Sequence, residues 1–179
     1  MLLREQRKQQ SRQAILNAAL ALSSHGRAFS TISLREIARE VGLVPTAFYR
    51  HFDDMQQLGL ELLDQVSIHL KGVFSQLGQA YLYQANAKIE NGIDLFFQAV
   101  EHYPEPWLFF IAERWGGSDF LRVGIEREVH FLIEDLVSEL EKMQSTQHIQ
   151  HPQDLQVLAQ ILINLSLNWA IGWLNIQKQ

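Results

Sequence analysis

Apolar residues in this chain recur every three or four positions, and no segment alternates polar and apolar residues over the length of a strand. A spacing of three to four places the apolar side chains on one face of a helix, whereas a half-buried strand needs a period of two. The pattern therefore predicts an all-α fold. Its longest apolar stripe consists of Leu58, Leu62, Val66, Leu70, Val73 and Leu77.

Capping residues divide this pattern into eight predicted helices. Ser33 with Glu36 three residues later forms a capping box, which predicts the start of the second helix, and Gly42 is expected to end that helix as a left-handed cap. Pro45 suits the first turn of a short third helix, since proline has no N–H to lose there. Asp54 is expected to cap a long fourth helix. Four further helices fill the rest of the chain, the last of them from about residue 153.

The second and third predicted helices, joined by a turn of three to four residues, have the pattern of a helix-turn-helix. Phe48 and Phe52 are four positions apart and pack on one face of the third helix. The small residues at the start of that helix allow a close approach to bases in a major groove about 12 Å wide. The predicted DNA-binding residues, which include basic residues of the first helix, are Arg7, Arg12, Ser33, Thr46, Ala47, Tyr49, Arg50 and His51.

Single residues of this set also have ordinary structural interpretations. Tyr49 on its own is equally consistent with a half-buried core residue whose hydroxyl reaches water. His51 on its own is typical of a surface histidine. The cap, the glycine, the aromatic pair and the basic residues together favour DNA binding.

The charge distribution supports a basic head on an acidic body. Residues 1–52 contain eight Lys and Arg against three Glu, a net charge of +5, whereas residues 53–179 contain seven bases and seventeen acids, a net charge of −10. An acidic body repels DNA while the head attracts it. The sequence therefore predicts a helix-turn-helix DNA-binding domain at 1–52 and a helical ligand-binding and dimerisation domain at 53–179. The alternative for the N-terminal charges is a solvated basic run.

Other classes of protein find little support in the sequence. The chain has no cysteine, which excludes disulfides and thiolate metal sites and suits the cytoplasm, and its first ten residues do not resemble a secretory signal. No glycine-rich phosphate loop, nucleophile elbow or HExxH motif predicts an enzyme. His148 and His151 lack a third ligand at a defined spacing. We therefore expect no catalytic site, metal or cofactor.

Residues 155–177 carry no charge over a length that could span a bilayer. Amide side chains nevertheless recur there every four residues, at Gln156, Gln160, Asn164 and Asn168, and hydrocarbon would penalise such a stripe. A membrane-associated helix and a buried subunit interface are the two interpretations, and the amides favour a homodimer without membrane contact. The predicted interface residues are Ile161, Leu165, Asn168 and Trp169.

From RQAILNAALAL through TISLREIAREVGLVPTAFYRHFDDMQQLGLELL the sequence resembles the DNA-binding region of TetR-type transcriptional repressors. The resemblance implies homodimers that bind a near-palindromic operator in double-stranded DNA, with a three-helix head and a helical body for a small-molecule effector. It also implies a ninth helix beyond the eight that the periodicity predicts. The family commonly has a phosphate-binding lysine at the start of the fourth helix, where this chain has Met55.

The segment ERWGGSDFLRVGIEREVHFLI, together with the head, is similar to the repressors of unsaturated fatty-acid synthesis. That resemblance implies a long-chain acyl thioester effector, carried by coenzyme A or by acyl carrier protein. The aromatic content of the middle helices is consistent with an apolar cavity. The predicted ligand-binding residues are Phe74, Phe97, Trp107, Phe110, Arg114 and Phe120.

The sequence also allows other interpretations of these residues. The aromatic rings could simply fill the core, and Arg114 and Arg122 could be ordinary surface ion-pair partners. A TetR-type repressor of another pathway, such as efflux, would respond to a different hydrophobic molecule.

Overall fold

A computed structural model describes residues 2–24, 26–82, 89–143, 146–149 and 151–177. Within these ranges the regular structure is entirely helical, which confirms the predicted all-α class. A 3₁₀ turn spans Phe29–Thr31. The α-helices are α1 (Leu2–Ser24), α2 (Leu34–Glu40), α3 (Pro45–Phe48), α4 (Met55–Leu82), α5 (Ile89–His102), α6 (Pro104–Arg114), α7 (Asp119–Lys142) and α8 (Pro152–Ile176).

The chain forms two compact units. The first comprises Met1–Val66 and Leu108–Ile125, and the second comprises Ser67–Trp107 and Glu126–Gln179. Helices α4, α6 and α7 each contribute residues to both units. The first unit thus includes the first three turns of α4 and residues 108–125 in addition to the residues before 53.

Apolar residues of α1 and α2 form the centre of the first unit. Ile15 and Ala19 of α1 and Ile37 of α2 are fully buried, as the three-and-four spacing predicts. Each aliphatic side chain of this size contributes about 1.5–3 kcal/mol when it is fully buried. Leu63 of α4 completes this core on the side of α7, where Gly124 has no side chain to obstruct it.

Reciprocal hydrogen bonds cap the N-termini of α2 and α4. The Ser33 hydroxyl accepts from the Glu36 backbone N–H, and the Glu36 carboxylate accepts from the Ser33 N–H at 2.9 Å, which confirms the capping box. At α4, the Asp54 carboxylate accepts from the Gln57 N–H at 2.7 Å, which confirms the predicted cap. The Gln57 side chain in turn accepts from the Asp53 N–H at 2.5 Å.

Aromatic residues dominate the core of the second unit. Trp107 of α6 is fully buried, and its ring meets those of Phe74 and Phe96 edge to face at 5.9 and 5.6 Å between centroids. Edge-to-face pairs of this kind contribute about 0.5–1.5 kcal/mol beyond the burial of their area. Helices α5 and α8 pack together in the same unit, where the rings of Phe97 and Trp173 stack at 4.5 Å.

The capping box at α2 predicts a pH-dependent contribution to the stability of the fold. The N–H of Ser33, then the guanidinium of Arg27, lower the pKa of Glu36 from 4.5 to about 2. A lowered pKa means that the carboxylate stabilises the fold above pH 4.5 and that this contribution is lost as the pH falls toward about 2. We expect wild type to exceed Glu36→Gln in denaturant midpoint at neutral pH and this advantage to shrink over that window. Glu40→Gln controls for the loss of one charge on α2, and an advantage that is constant with pH would contradict the prediction.

Candidate DNA-binding surface and effector cavity

The turn between α2 and α3 depends on a glycine in a left-handed conformation. Gly42 has a φ of +68°, which confirms the predicted cap. Its N–H donates to the Arg39 carbonyl at 3.1 Å, and the Leu43 N–H donates to the Ala38 carbonyl at 2.8 Å. This pair of bonds is the Schellman arrangement, which ends a helix and fixes the direction of the departing chain. It sets the angle at which α3 follows α2.

The inner side of the segment after this turn is aromatic. Phe48 and Phe52 are 0% and 1% exposed, as the sequence predicts, and their ring centroids are 5.6 Å apart. The Arg12 guanidinium of α1 lies over the Phe52 ring at 4.5 Å from its centroid. These contacts hold α3 against α1 and leave the opposite side of α3 to solvent.

The outer side of the same segment carries the predicted recognition residues. Thr46 and Arg50 are exposed, Ala47 and His51 are partly exposed, and Tyr49 is 61% exposed. Helix α3 is shorter than the sequence suggests, because it ends at Phe48 and the next three residues form a tight turn. The N–H groups of Arg50 and His51 donate to the carbonyls three residues earlier, of Ala47 and Phe48. Bonds of this spacing tighten the end of a helix without redirecting the exposed side chains to the core.

Burial lowers the pKa of His51, and nearby positive charges from Lys8, Arg12 and Arg50 lower it further. Its Nδ1 atom is buried and has no hydrogen-bond partner among the described residues. The neutral imidazole is therefore favoured in this positive environment. The three cations show that the start of α1 and the end of the α3 segment share one electropositive region. Lys8 was absent from the sequence prediction, although it belongs to the same N-terminal basic run.

The remaining predicted DNA-binding residues differ in their availability. Arg7 is exposed on α1. Arg12 forms an ion pair with Glu61 of α4 in addition to its contact with Phe52, so its charge is already partnered inside the unit. Ser33 is exposed, but its hydroxyl belongs to the cap of α2.

The second unit contains a cavity of about 770 Å³. This volume lies within the range of about 300–1,000 Å³ that is typical of small-molecule sites. Helices α4, α5, α7 and α8 all contribute to its wall. The apolar part of the lining consists of Phe74, Leu77, Ile93, Phe96, Leu132, Leu136, Leu162, Ile163 and Trp169.

The two lysines that line this cavity form ion pairs, and Asp135 adds a further carboxyl group to the lining. The Lys71 ammonium lies 2.8 Å from the Glu128 carboxylate, and Glu128 is almost fully buried. The Lys142 ammonium lies 2.8 Å from the Glu139 carboxylate. Both lysines line the cavity, and each has its counter-ion in the same unit. The sequence did not predict a role for Lys71. A lysine next to the apolar stripe of α4 is indistinguishable there from an ordinary surface charge.

Three of the six predicted ligand residues lie in the second unit. Phe74 lines the cavity directly. Trp107 does not line it but is fully buried behind Phe74 and Phe96, and its indole nitrogen has no hydrogen-bond partner among the described residues. Phe97 lines a second cavity of about 400 Å³ on α5 and α8, which also includes Trp173.

The other three predicted ligand residues lie in the first unit, away from the cavity lining. Phe110 is fully buried, and Phe120 packs edge to face on Phe29 at 6.4 Å between centroids. The Arg114 guanidinium lies over the ring of Trp115 at 5.5 Å from its centroid. Phe110 is therefore a core residue of the first unit, and the half-buried Phe120 packs beside Phe29 in the same unit.

Helix α8 has two apolar faces. One face is buried in the second unit and consists of Leu155, Ala159, Ile163, Leu167, Ala170 and Leu174. The other face, here called the outer face of α8, is exposed and consists of Val157, Ile161, Leu165, Trp169 and Ile176. Ile161 is 55% exposed, and Asn168 is also exposed beside this face. Four predicted interface residues thus lie on or beside one continuous surface.

Among the described residues, one helix, α8, has a length and an apolar composition that would allow it to cross a membrane. Only 28% of its most apolar window is buried. The amide side chains run along its flank, where the Asn164 amide donates to the Gln160 carbonyl at 2.7 Å.

Residues 15–62 match the family model of bacterial regulatory proteins of the tetR family. Solved structures with the same fold include the fatty acid degradation regulator FadR from Bacillus halodurans, at 14% identity and a TM-score of 0.69, with 94% of this chain and 86% of that chain covered. NalD, the secondary repressor of the MexAB-OprM multidrug efflux pump in Pseudomonas aeruginosa, is similar at 23% identity and a TM-score of 0.62, with 95% and 88% covered. The reduced form of E. coli NemR is similar at 18% identity and a TM-score of 0.66, with 94% and 89% covered.

These identities show a shared fold and leave the pathway open, since a fatty-acid regulator and an efflux repressor both have it. The match of residues 15–62 covers the second half of α1, all of α2 and α3 and the start of α4, and so includes Tyr49 and Arg50. Residues 15–62 therefore resemble the DNA-binding region of tetR-family proteins, and the chain as a whole shares the fold of these solved regulators.

Proposed function

We propose that this chain is a transcriptional repressor that binds a near-palindromic operator as a homodimer and responds to a long-chain fatty acyl thioester. The main support for DNA binding is the two-sided segment 45–52. Its phenylalanines are buried, whereas Tyr49 and Arg50 project into solvent from a domain that matches the tetR family.

The exposed residues have the chemistry that duplex DNA requires. Thr46 and Ala47 are small, so the start of α3 can approach the edges of the bases in the major groove. The Arg50 guanidinium can donate two hydrogen bonds to guanine, and the Tyr49 hydroxyl suits a phosphate oxygen. Arg7 and Lys8 extend the positive surface along α1 and would add salt-dependent affinity for phosphates.

The outer face of α8 supports the homodimer. A helix whose two opposite faces are both apolar needs a second partner besides its own core. A two-fold interface would pair this face with itself and would place two heads side by side, which is what a palindromic operator requires.

The proposed effector is supported by the cavity and by the resemblance of the body to repressors of unsaturated fatty-acid synthesis. Phe74, Phe96 and Leu136 offer apolar surface to an acyl chain, and each buried methylene contributes about 0.8 kcal/mol. Lys71 and Lys142 already have counter-ions, so the lining holds no unbalanced positive charge for a free carboxylate. An uncharged thioester chain therefore suits this lining better than a free fatty acid.

Substitution of Arg50 tests the recognition surface. With a duplex that the wild-type protein has selected from a random pool, Arg50→Ala should lose roughly 1–3 kcal/mol of preference for that duplex over random DNA, because a bidentate base contact is lost. Arg39→Ala, which removes the same charge from an exposed position on α2, should weaken both DNAs alike. Tyr49→Phe should also weaken both alike. Titrations at fixed salt measure the preference, and an unchanged preference in Arg50→Ala would remove Arg50 from base recognition.

A charge on the outer face of α8 tests the dimer. Ile161→Arg or Leu165→Arg should give monomers by sedimentation, because a buried unpaired charge is strongly unfavourable. Those monomers should bind the selected duplex poorly. Gln160→Arg, on the exposed flank of the same helix, adds the same charge outside the proposed interface and should leave the dimer intact. Intact dimers in all three variants would place the interface elsewhere.

Titration of the DNA complex with matched acyl thioesters tests the effector. A ligand shifts a conformational equilibrium only by its difference in affinity for the two states, so chain shape should matter as well as chain length. Saturated and cis-unsaturated thioesters of equal length should therefore differ in their effect on operator affinity. Phe74→Ala should weaken the response to both. If neither thioester changes DNA binding while the protein still binds its duplex, the acyl effector is wrong and the repressor function stands, with another hydrophobic ligand as the candidate.

A further inference from the structure

Glu113, near the end of α6, is a buried acid for which the proposed DNA-binding surface and cavity have no use. Its side chain is 1% exposed. Its Oε1 atom accepts a hydrogen bond of 2.6 Å from the backbone N–H of Phe29, which lies 84 positions earlier in the chain. Its Oε2 atom is buried and has no hydrogen-bond partner among the described residues. Burying a carboxyl group is costly, so such a group in a core indicates a specific task.

Two glycines after α6 make room for this contact. A Cβ atom at Gly116 would lie 2.7 Å from Glu113 Oε2, and a Cβ atom at Gly117 would lie 2.7 Å from the Ser30 hydroxyl. Neither distance is compatible with a side chain unless its neighbour moves. The Arg122 guanidinium donates to the Gly116 carbonyl at 2.6 Å and holds this glycine turn in place. The turn thus lies directly against Glu113 and against the 3₁₀ turn.

The ring of Phe29 is enclosed on three sides in the first unit. It meets Phe109 of α6 at 6.3 Å and Phe120 of α7 at 6.4 Å between centroids, both edge to face. A Cβ atom at Gly59 of α4 would lie only 2.9 Å from the Phe29 ring and from the Phe120 ring. The ring and the backbone N–H of one residue therefore contact α4, α6 and α7.

The 3₁₀ turn is tied closely to the helix-turn-helix. Only Ile32 separates Thr31 from Ser33, the N-cap of α2. The Arg27 guanidinium donates to the Thr31 carbonyl at 3.2 Å and to the Glu36 carboxylate at 3.0 Å, so it links the turn to the first turn of α2. A displacement of Phe29 would consequently be transmitted to the start of α2.

We propose that Glu113 is a positioning residue for the DNA-binding head, which fixes the 3₁₀ turn in front of α2 through the N–H of Phe29. The proposal rests on the proposed DNA-binding function. In this proposal α6 and α7, as well as α4, contact the 3₁₀ turn that leads into the helix-turn-helix.

The chemistry of this contact predicts which substitution preserves it. Burial raises the pKa of Glu113, and the bond from Phe29 opposes that effect. The bond needs an acceptor oxygen, which glutamine also provides, and does not need a negative charge. Glu113→Gln should therefore keep the 3₁₀ turn in position, whereas Glu113→Ala leaves the Phe29 N–H buried without an acceptor.

Amide hydrogen exchange of the full chain, followed by NMR, tests the hydrogen bond itself. In Glu113→Ala the amide of Phe29 should exchange about tenfold faster than in wild type, as expected for the loss of one hydrogen bond. The amides of Leu62 and Leu63 in the same unit report global opening, and exchange at Phe29 should increase relative to theirs. Glu113→Gln should match wild type at Phe29. Equal exchange at Phe29 in wild type and Glu113→Ala, or loss of protection in Glu113→Gln, overturns the proposal.

A second variant keeps the test decisive if Glu113→Ala does not fold. Gly116→Ala places a methyl group where Oε2 lies and should displace the carboxyl group without removing it. It should speed exchange at Phe29 in the same way. Unchanged exchange in a folded Gly116→Ala protein overturns the proposal.

Binding to the selected duplex tests the consequence for function. Glu113→Ala or Gly116→Ala should bind it several-fold more weakly than wild type, with Glu113→Gln unchanged, since a mobile 3₁₀ turn no longer fixes α2. If wild type binds no DNA, the proposed function fails. The exchange experiment then still shows whether Glu113 holds the Phe29 N–H in a hydrogen bond. If wild type binds DNA and Glu113→Ala binds it equally well, the positioning role fails alone.

Discussion

Burial of Phe29 is the constraint on which the first unit depends. Its ring lies among Phe109, Phe120 and Gly59, so its backbone N–H is carried into the core and requires an acceptor. Glu113 supplies that acceptor. The same burial explains why the turn after α6 consists of two glycines, because any side chain there would collide with the acid or with the 3₁₀ turn. One enclosed aromatic residue thus accounts for a buried carboxyl group, three glycines and the position of the chain entering α2.

The proposed DNA-binding surface and the proposed effector cavity differ in the interactions that they can make with a partner. The head presents cations and a tyrosine on a rigid helical support, which suits a charged duplex whose affinity falls with salt. The cavity offers apolar rings and paired charges, which suits an uncharged chain. Helices α4, α6 and α7 each contribute residues to both units.

Helix α8 combines a long apolar composition with one face that is packed inside the second unit. Its length and apolar content satisfy the criterion for a membrane span. Its buried face, from Leu155 to Leu174, nevertheless packs in the second unit, and its outer face is a stripe rather than a full apolar circumference. The amides on the flank remain accessible to solvent, as at Gln160. A stripe opposite a packed face is the pattern expected of a helix shared by a protein core and a protein interface.

The sequence by itself determined the features that depend on neighbours along the chain. The all-α class, the caps at Ser33 and Asp54, the left-handed Gly42 and the two sides of the segment 45–52 all follow from spacings of three or four residues, and the structure confirms them. Only the tertiary structure decided which buried residue meets which other. Of the predicted ligand residues, Phe74 lines the main cavity whereas Phe120 packs on Phe29, and periodicity cannot separate them because both simply face inward. The contact between Phe29 and Glu113 spans 84 positions, and no local pattern specifies a hydrogen bond that only the packing of distant helices creates.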